Sequence, residues 1–337
     1  MIDWVRAHPR IREWSRHILT RLSFHASGED ADLMIFACRR SGSTWLMELL
    51  ASAPRLRFVN EPDIQSLIYE AELPTGLENH LPPELRKIVD VPIGSEDAFR
   101  RHFMDPRSTR IRGPYNLCSP QYHVFTTRRV IKIVHATAIA DWIGVQHWPL
   151  HSIYLVRHPI ATALSMMRSN VTCRAVANLR HPGFCAKMGS ALTDFAWDIL
   201  REGSALDRFV LEWCLDNLVP FRSWRSGVGN WSFLTYEELL LDPSRSLGRL
   251  GAEVDLIITP SMLRLAGVPS ASTTTARRPS LLNESASEAV TRWTLHIDRR
   301  REERAFAIVD TFGFDLYGVG RSVATDRYLH FQETPRI

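Results

Sequence analysis

Five short apolar runs, rich in β-branched and aromatic residues, constrain the fold of this chain more than any other feature. Helical patterns separate them, and each ends directly in polar or aromatic residues; the runs cover residues 33–38, 56–59, 130–134, 152–156 and 231–235. Continuously apolar runs of this length indicate parallel strands that are buried on both faces. Ligands of such sheets bind at the carboxyl ends of the strands. The sequence therefore predicts an α/β fold, with a central parallel sheet flanked by helices and one site where the five strand ends meet.

Bulk properties fit one soluble α/β domain. The chain has 337 residues, 45% of them apolar and 23% charged. No apolar run approaches the ~18 residues that a membrane span needs. The five cysteines show no paired spacing, and the amino-terminal segment lacks the apolar core of a secretory signal, so we expect free thiols and a cytoplasmic protein. The net charge of +4 is evenly spread, which suits a small anionic ligand and makes nucleic acid an unexpected partner.

We divide the chain into an amino-terminal helical extension over 1–30, a domain over 31–320 and a carboxyl-terminal tail over 321–337. In the extension, apolar residues recur at helical spacing with arginines between them; the apolar set is Trp4, Ile11, Trp14, Ile18 and Leu22. This pattern is compatible with a basic helix on an anionic membrane surface, but it favours a helix that packs its tryptophans on the domain.

Two further helices are predicted from apolar periodicity. One covers 205–224, with Pro220 as its end, because proline interrupts helical hydrogen bonding. The other is centred on 297–312 and closes at Gly313, since glycine is common just after a helix.

The first apolar run leads into a loop that resembles a phosphate-binding turn. The residues after the run are Arg39, Arg40, Ser41, Gly42, Ser43 and Thr44, and an amphipathic segment from Trp45 follows at once. A strand, a tight polar turn and a helix can hold a phosphate on free backbone N–H groups. The usual loop for nucleoside triphosphates is absent, because it needs an earlier glycine and a lysine before Thr44.

The fourth run supplies a second candidate anion site. Arg157 leaves the strand end, and Ser165 follows two turns into the next helix. Together they can hold one phosphate by charge-assisted hydrogen bonds, each worth ~1.5–3 kcal/mol. The alternative is an arginine in a salt bridge at the sheet edge and a serine that bonds its own helix. Beside the loop at 39–44, the pair favours a ligand with phosphates at both ends.

Three stretches, "RRSGSTWL", "IYLVRHPIATALS" and "FLTYEELLLDP", resemble in content and order the sulfotransferases that use 3′-phosphoadenosine-5′-phosphosulfate (PAPS). The loop is closer to carbohydrate-type and bacterial members, and the likeness spans about residues 33–317. The resemblance implies a P-loop, nucleotide-kinase-like sulfotransferase domain. It also implies transfer of a sulfuryl group from PAPS to a hydroxyl of a carbohydrate, glycolipid or small natural product.

The resemblance assigns roles to individual residues. Arg40 and residues 41–44 would hold the 5′-phosphosulfate, with Arg39 either assisting or lying on the surface. Trp45 and Tyr236 would flank the adenine. Arg157 and Ser165 would bind the 3′-phosphate, with a third contact from either Arg277 or Arg278.

The resemblance leaves two candidates for the base that deprotonates the acceptor, Glu61 and His135. Family members use either a glutamate after the first helix or a histidine on the central strand. The Glu-Pro context favours Glu61 and leaves His135 as alternate base or acceptor contact. Sulfuryl carries one negative charge fewer than phosphoryl, so no metal is expected, and Arg40 with backbone N–H groups can stabilise the leaving oxygen. The alternatives are an ATP-dependent P-loop kinase and a non-catalytic nucleotide-binding protein; acceptor and oligomeric state stay open.

Overall fold

The computed structural model describes residues 24–26, 28–62, 87–104, 119–270, 273 and 284–328. Seven strands lie in these ranges: β1 (Phe24–His25), β2 (Asp32–Phe36), β3 (Leu56–Asn60), β4 (Phe125–Thr126), β5 (Arg128–Ile133), β6 (Leu150–Val156) and β7 (Trp231–Thr235). Five of them form one parallel sheet in the order β3-β5-β2-β6-β7, and β1 pairs with β4. All five predicted strands are present, and the predicted parallel α/β fold is confirmed.

Helices connect the strands and cover both faces of the sheet. In chain order they are α1 (Ser43–Ala51), α2 (Glu96–Met104), α3 (Ala140–Gly144), α4 (Pro159–Arg168), α5 (Ala175–Leu179), α6 (Pro182–Met188), α7 (Ser190–Glu202), α8 (Ala205–Ser226), α9 (Tyr236–Leu241), α10 (Pro243–Glu253), α11 (Pro260–Ala266), α12 (Ala286–Thr291) and α13 (Arg299–Thr311). Two 3₁₀ turns, Thr137–Ile139 and Arg292–His296, complete the helical elements of the described residues.

Side chains of the central strand β2 alternate between two apolar cores. Met34 and Phe36 lie in the core beneath α4, α8 and α13, whereas Leu33 and Ile35 lie in the core beneath α1 and α10. All four are fully buried, which explains why the strand reads as a continuous apolar run instead of an alternating one.

Helix α8 does not end at Pro220, so that prediction is wrong. The helix runs through the proline to Ser226 and ends at Gly227, whose φ of 68° is left-handed. A proline inside a helix removes one backbone hydrogen bond. Pro220 and its neighbours Val219 and Phe221 are buried, and burial of this apolar face outweighs the lost bond. The last helix, α13, ends at Thr311, and Gly313 has a φ of 76°, close to the predicted stop.

Two buried arginines, Arg128 and Arg129, form hydrogen bonds between segments at the amino-terminal edge of the sheet. Arg129 donates to the Asp32 carboxylate from its backbone N (2.6 Å) and from Nε (2.9 Å). Arg128 donates to the carbonyls of Ala31, Val254 (2.7 Å) and Asp255 (3.0 Å). Both arginines are at least nine-tenths buried, so their charges serve the fold and lie away from the strand ends where a ligand would bind.

Parts of the two terminal segments fall in the described ranges. Ala324 and Tyr328, which lie in the predicted tail, are buried in the main core. The basic amphipathic segment before Phe24 lies outside the described residues. Within those residues, every helix is too short or too polar to cross a membrane.

We expect Asp32→Ala to lower the free energy of unfolding by about 3–5 kcal/mol, because it leaves the buried Arg129 cation uncompensated. Asp198→Ala is the matched control, since it removes a carboxylate whose partner Arg201 is exposed, and such pairs contribute about 0–1 kcal/mol. Urea denaturation of both variants measures the difference. Equal losses would show that the buried pair contributes no more than a surface pair.

Candidate active site

The loop between β2 and α1 has the backbone of an anion-binding turn. Gly42 stands at the start of α1 with a φ of 88°, and Arg40 is also left-handed with a φ of 66°. The first N–H groups of a helix have no partner within the helix and carry its positive dipole end. Helix α1 therefore offers such donors at residues 40–44, and the binding of an anion there stays a prediction.

Tyr236, at the end of β7, packs directly against this loop. A Cβ placed on Gly42 would lie 2.4 Å from Cδ2 of Tyr236, so no larger residue fits there. The Arg157 guanidinium lies 4.3 Å from the centre of the same ring, within the range of a cation–π contact. Trp45 meets Tyr236 edge-on, with ring centroids 5.6 Å apart. The two predicted adenine neighbours thus contact each other and leave no gap between their rings.

The two predicted anion sites are joined. Arg40 Nε donates to Ser165 Oγ at 3.4 Å, and Arg157 Nη1 donates to the Arg40 carbonyl at 3.1 Å. Arg157 is itself fixed by Trp213, whose indole N–H donates to its carbonyl at 2.9 Å. Two buried polar atoms here, Ser41 Oγ and Arg157 Nε, have no hydrogen-bond partner among the described residues. Buried polar atoms are normally satisfied, so these two atoms can each take a further hydrogen-bond partner at the loop.

Lys132 connects the loop to the candidate bases. Its ammonium lies 2.9 Å from Thr44 Oγ1 and 2.7 Å from Glu61 Oε1, and its side chain is 3% exposed. The loop has no lysine of its own before Thr44. A cation from the adjacent strand β5 therefore reaches the loop instead, which only the sheet order makes possible.

Glu61 and His135 are neighbours, with Glu61 Oε2 and His135 Nε2 3.7 Å apart. Burial alone raises the pKa of Glu61, but His135 and the Lys132 ammonium outweigh it and hold this pKa well below its ordinary value. Burial lowers the pKa of His135 to about 4. At neutral pH the site therefore contains a carboxylate beside a neutral imidazole.

Sequence reasoning missed two charged residues of the site, Arg174 and Glu212. The Arg174 guanidinium donates to His135 Nδ1, and its backbone N donates to Glu212 Oε2 at 2.7 Å. Glu212 is fully buried on α8. Asp216, four residues later, is also buried and pairs with Lys87. Two acids at helical spacing inside an apolar stripe were the available signal for this ion-pair network.

Arg39 belongs to the same network. Its guanidinium pairs with the Glu212 carboxylate and donates to the Thr172 carbonyl at 2.9 Å. Its side chain is 15% exposed, so the expectation of a surface cation is wrong. Arg277 and Arg278, the candidates for the third phosphate contact, lie outside the described residues.

A continuous series of contacts links all five strand ends of the sheet. It runs from Glu61 after β3 to Lys132 on β5, then to Thr44 after β2. The loop after β2 continues it through Arg40 to Arg157, which follows β6 and lies over Tyr236 after β7. The predicted site residues within the described ranges are thus brought together on one edge of the sheet.

No family model matches the chain, and no characterised protein of known sequence matches it. Solved structures do show similarity. The sulfotransferase domain from the curacin biosynthetic pathway is 17% identical with a TM-score of 0.47, covering 86% of this chain and 100% of that domain. The sulfotransferase domain of the Synechococcus PCC 7002 olefin synthase is 15% identical with a TM-score of 0.43, covering 87% of this chain and 98% of that domain.

Mouse sulfotransferase SULT7A1, solved in complex with PAP, is 15% identical with a TM-score of 0.42, covering 87% of this chain and 88% of that protein. All three are sulfotransferases or sulfotransferase domains.

We expect Gly42→Ala to destabilise the protein more than Gly94→Ala. Both glycines have a left-handed φ, 88° and 84°, but only at Gly42 would the new methyl group meet a neighbour, the Tyr236 ring. Both variants place alanine in a left-handed conformation and share that cost. The difference between their stabilities therefore measures the clash with the Tyr236 ring. Overpacking of this kind costs about 1–3 kcal/mol. Thermal unfolding of the two variants measures it; equal melting temperatures would mean that Tyr236 moves aside freely.

Acidification should destabilise the protein through its buried histidines. Burial lowers the pKa of His158 to about 3 and that of His135 to about 4, from an ordinary 6.5. The unfolded chain therefore binds protons first, so the free energy of unfolding falls as the pH drops from about 6.5 towards 5. Urea denaturation across this range measures the slope. His158→Gln should flatten it, whereas exchange of the exposed His147 for Gln should not; an unchanged slope in His158→Gln would contradict the prediction.

Proposed function

We propose that this protein is a sulfotransferase that moves a sulfuryl group from PAPS to an acceptor hydroxyl. One observation carries the proposal: Arg40, Arg157 and Ser165 converge on the loop at the start of α1, where Ser41 Oγ and Arg157 Nε are buried without partners among the described residues. These groups support a site for an anion with more than one charged group.

The residues of the site suit the donor. In this proposal Ser41, Thr44 and the N–H groups at the start of α1 bind the 5′-phosphosulfate, and Arg157 with Ser165 binds the 3′-phosphate. Bound PAPS supplies an activated sulfuryl group with a phosphate as leaving group. Arg40 and the loop N–H groups meet the charge that develops on the leaving oxygen, which is the type of electrostatic stabilisation that contributes most in group transfer. Because Trp45 and Tyr236 contact each other, the adenine would use an outer face of these rings.

Lys132 favours sulfuryl over phosphoryl transfer. P-loop kinases use the hydroxyl at the end of their loop to hold Mg²⁺. In this protein a lysine ammonium lies 2.9 Å from the Thr44 hydroxyl, and two cations on one hydroxyl repel each other. In this proposal the same ammonium would neutralise charge on the transferred group.

Glu61 is the more accessible candidate for the base, although the low pKa that His135 and Lys132 impose makes its carboxylate a weak base. Its carboxylate carries lone pairs on both oxygens and is 25% exposed, whereas the side chain of His135 is 13% exposed. The only lone pair of a neutral imidazole lies on one ring nitrogen, and at His135 that nitrogen faces the Arg174 guanidinium. His135 is therefore assigned to orienting Glu61 or contacting the acceptor.

The acceptor is proposed only by class: a hydroxyl of a carbohydrate, a glycolipid or a small natural product. The mild net positive charge of +4 suits small anionic ligands and does not favour nucleic acid. A cytoplasmic location and contact of the amino-terminal segment with a membrane surface remain proposals from the sequence.

Thermal unfolding with ligands tests the donor site. We expect 3′-phosphoadenosine-5′-phosphate at about 100 times its dissociation constant to stabilise the protein by about 2.7 kcal/mol without Mg²⁺. Ser165→Ala should weaken this binding about 10- to 100-fold, because it removes one hydrogen bond to a charged group. Ser169→Ala is the matched control. It removes a serine hydroxyl one turn later, and that hydroxyl donates to the Ser165 carbonyl at 2.8 Å.

If ATP with Mg²⁺ stabilises the protein and 3′-phosphoadenosine-5′-phosphate does not, the protein is a kinase and the proposal is wrong. If the protein binds the donor but transfers no sulfuryl group from PAPS to any acceptor in a broad panel of hydroxyl compounds, it is a non-catalytic nucleotide-binding protein. Equal weakening in Ser165→Ala and Ser169→Ala would remove Ser165 from the donor site.

A further inference from the structure

Arg174 is anchored more firmly than its place in a loop suggests. It lies between α4 and α5 and is 5% exposed. Its backbone N donates to the fully buried Glu212 at 2.7 Å, and Glu212 also holds Arg39 of the loop. The segment that carries Arg174 and the segment that begins the phosphate loop are thus fixed on one carboxylate of α8.

The guanidinium of Arg174 contacts Nδ1 of His135, and both of its terminal nitrogens donate to that atom. A guanidinium has donors only and keeps its proton in proteins. Nδ1 must therefore present its lone pair, which places the one proton of the neutral imidazole on Nε2. That N–H lies on the side of Glu61 Oε2, 3.7 Å away.

We propose that Arg174 is a positioning residue that fixes His135 in its Nε2–H tautomer and thereby orients the Glu61 carboxylate. The inference rests on the proposed function, in which Glu61 takes the proton of the acceptor hydroxyl. Lys132 holds one oxygen of Glu61 at 2.7 Å, and the Nε2–H group of His135 faces the other. With the opposite tautomer, an imidazole lone pair would face the carboxylate and repel it.

The positive charges around His135 also keep its ring neutral. Besides Glu61, the charged groups that act on it are Arg174 and Arg39, and both cations disfavour a second proton on the ring. Glu212 in turn holds both arginines in place. Loss of the Arg174 guanidinium therefore has two effects: it frees the tautomer, and it makes protonation of His135 easier.

Nitrogen-15 NMR of labelled histidine side chains tests the tautomer without substrate or activity. The His135 signals are assigned by their absence from His135→Asn. We expect only the Nε2–H form in the natural protein at neutral pH. Arg174→Met has a similar length and no donor, so it should show the Nδ1–H form or a mixture, and should protonate at higher pH. Arg174→Lys should restore the Nε2–H form in part, and exposed Arg180→Met should leave it unchanged.

Kinetics then test the consequence for transfer. Arg174→Met should lower kcat about 10- to 100-fold, the scale of a small misplacement of a reacting group, while donor binding stays within about twofold. A dominant Nδ1–H form in the natural protein, or identical spectra in Arg174→Met and the natural protein, would overturn the inference. A natural protein that shows the tautomer but transfers no sulfuryl group would overturn the proposed function and leave the role of Arg174 in fixing the tautomer standing. Melting temperatures of the variants verify that each is folded.

Discussion

Parallel pairing of five buried strands is the constraint on which the rest of this structure depends. Because all five run in one direction, their carboxyl ends meet at one edge, and the residues that follow each strand become neighbours. The order β3-β5-β2-β6-β7 puts the phosphate-type loop after the central strand. It also places the candidate base on one side and the second anion site on the other. A donor bound across the middle would thus have its reacting end near Glu61 and its distant phosphate near Arg157.

Buried charges hold this edge in shape. Taking an ion out of water costs several kcal/mol unless a partner compensates it, and three carboxylates near this edge have cationic partners. Glu212 pairs with Arg39, Asp216 with Lys87, and Glu61 with Lys132. Each pair joins segments that are far apart in the chain. The main effect of the pairs is therefore to hold the loops that would contact donor and acceptor in fixed positions. Their contribution to stability is secondary.

Lys132 supplies a cation to the loop at 39–44, which has no lysine of its own before Thr44. The residue reaches Thr44 from the neighbouring strand and binds Glu61 as well, so one ammonium lies between the donor loop and the candidate base. In a low-dielectric site such a charge acts strongly on a group that moves past it. Under the proposed function, this arrangement would make donor binding and proton removal parts of one electrostatic unit.

Local pattern in the sequence determined the five strands and the polar turn at 39–44 between a strand and a helix. These depend on periodicity and on residues close together in the chain. The tertiary structure alone decided that α8 continues through Pro220, because burial of a long apolar face outweighs one lost hydrogen bond. It alone brought Arg174 to His135 and Lys132 to Thr44, residues 39 and 88 positions apart. Such contacts arise from strand order and helix packing, which single-residue spacing does not encode.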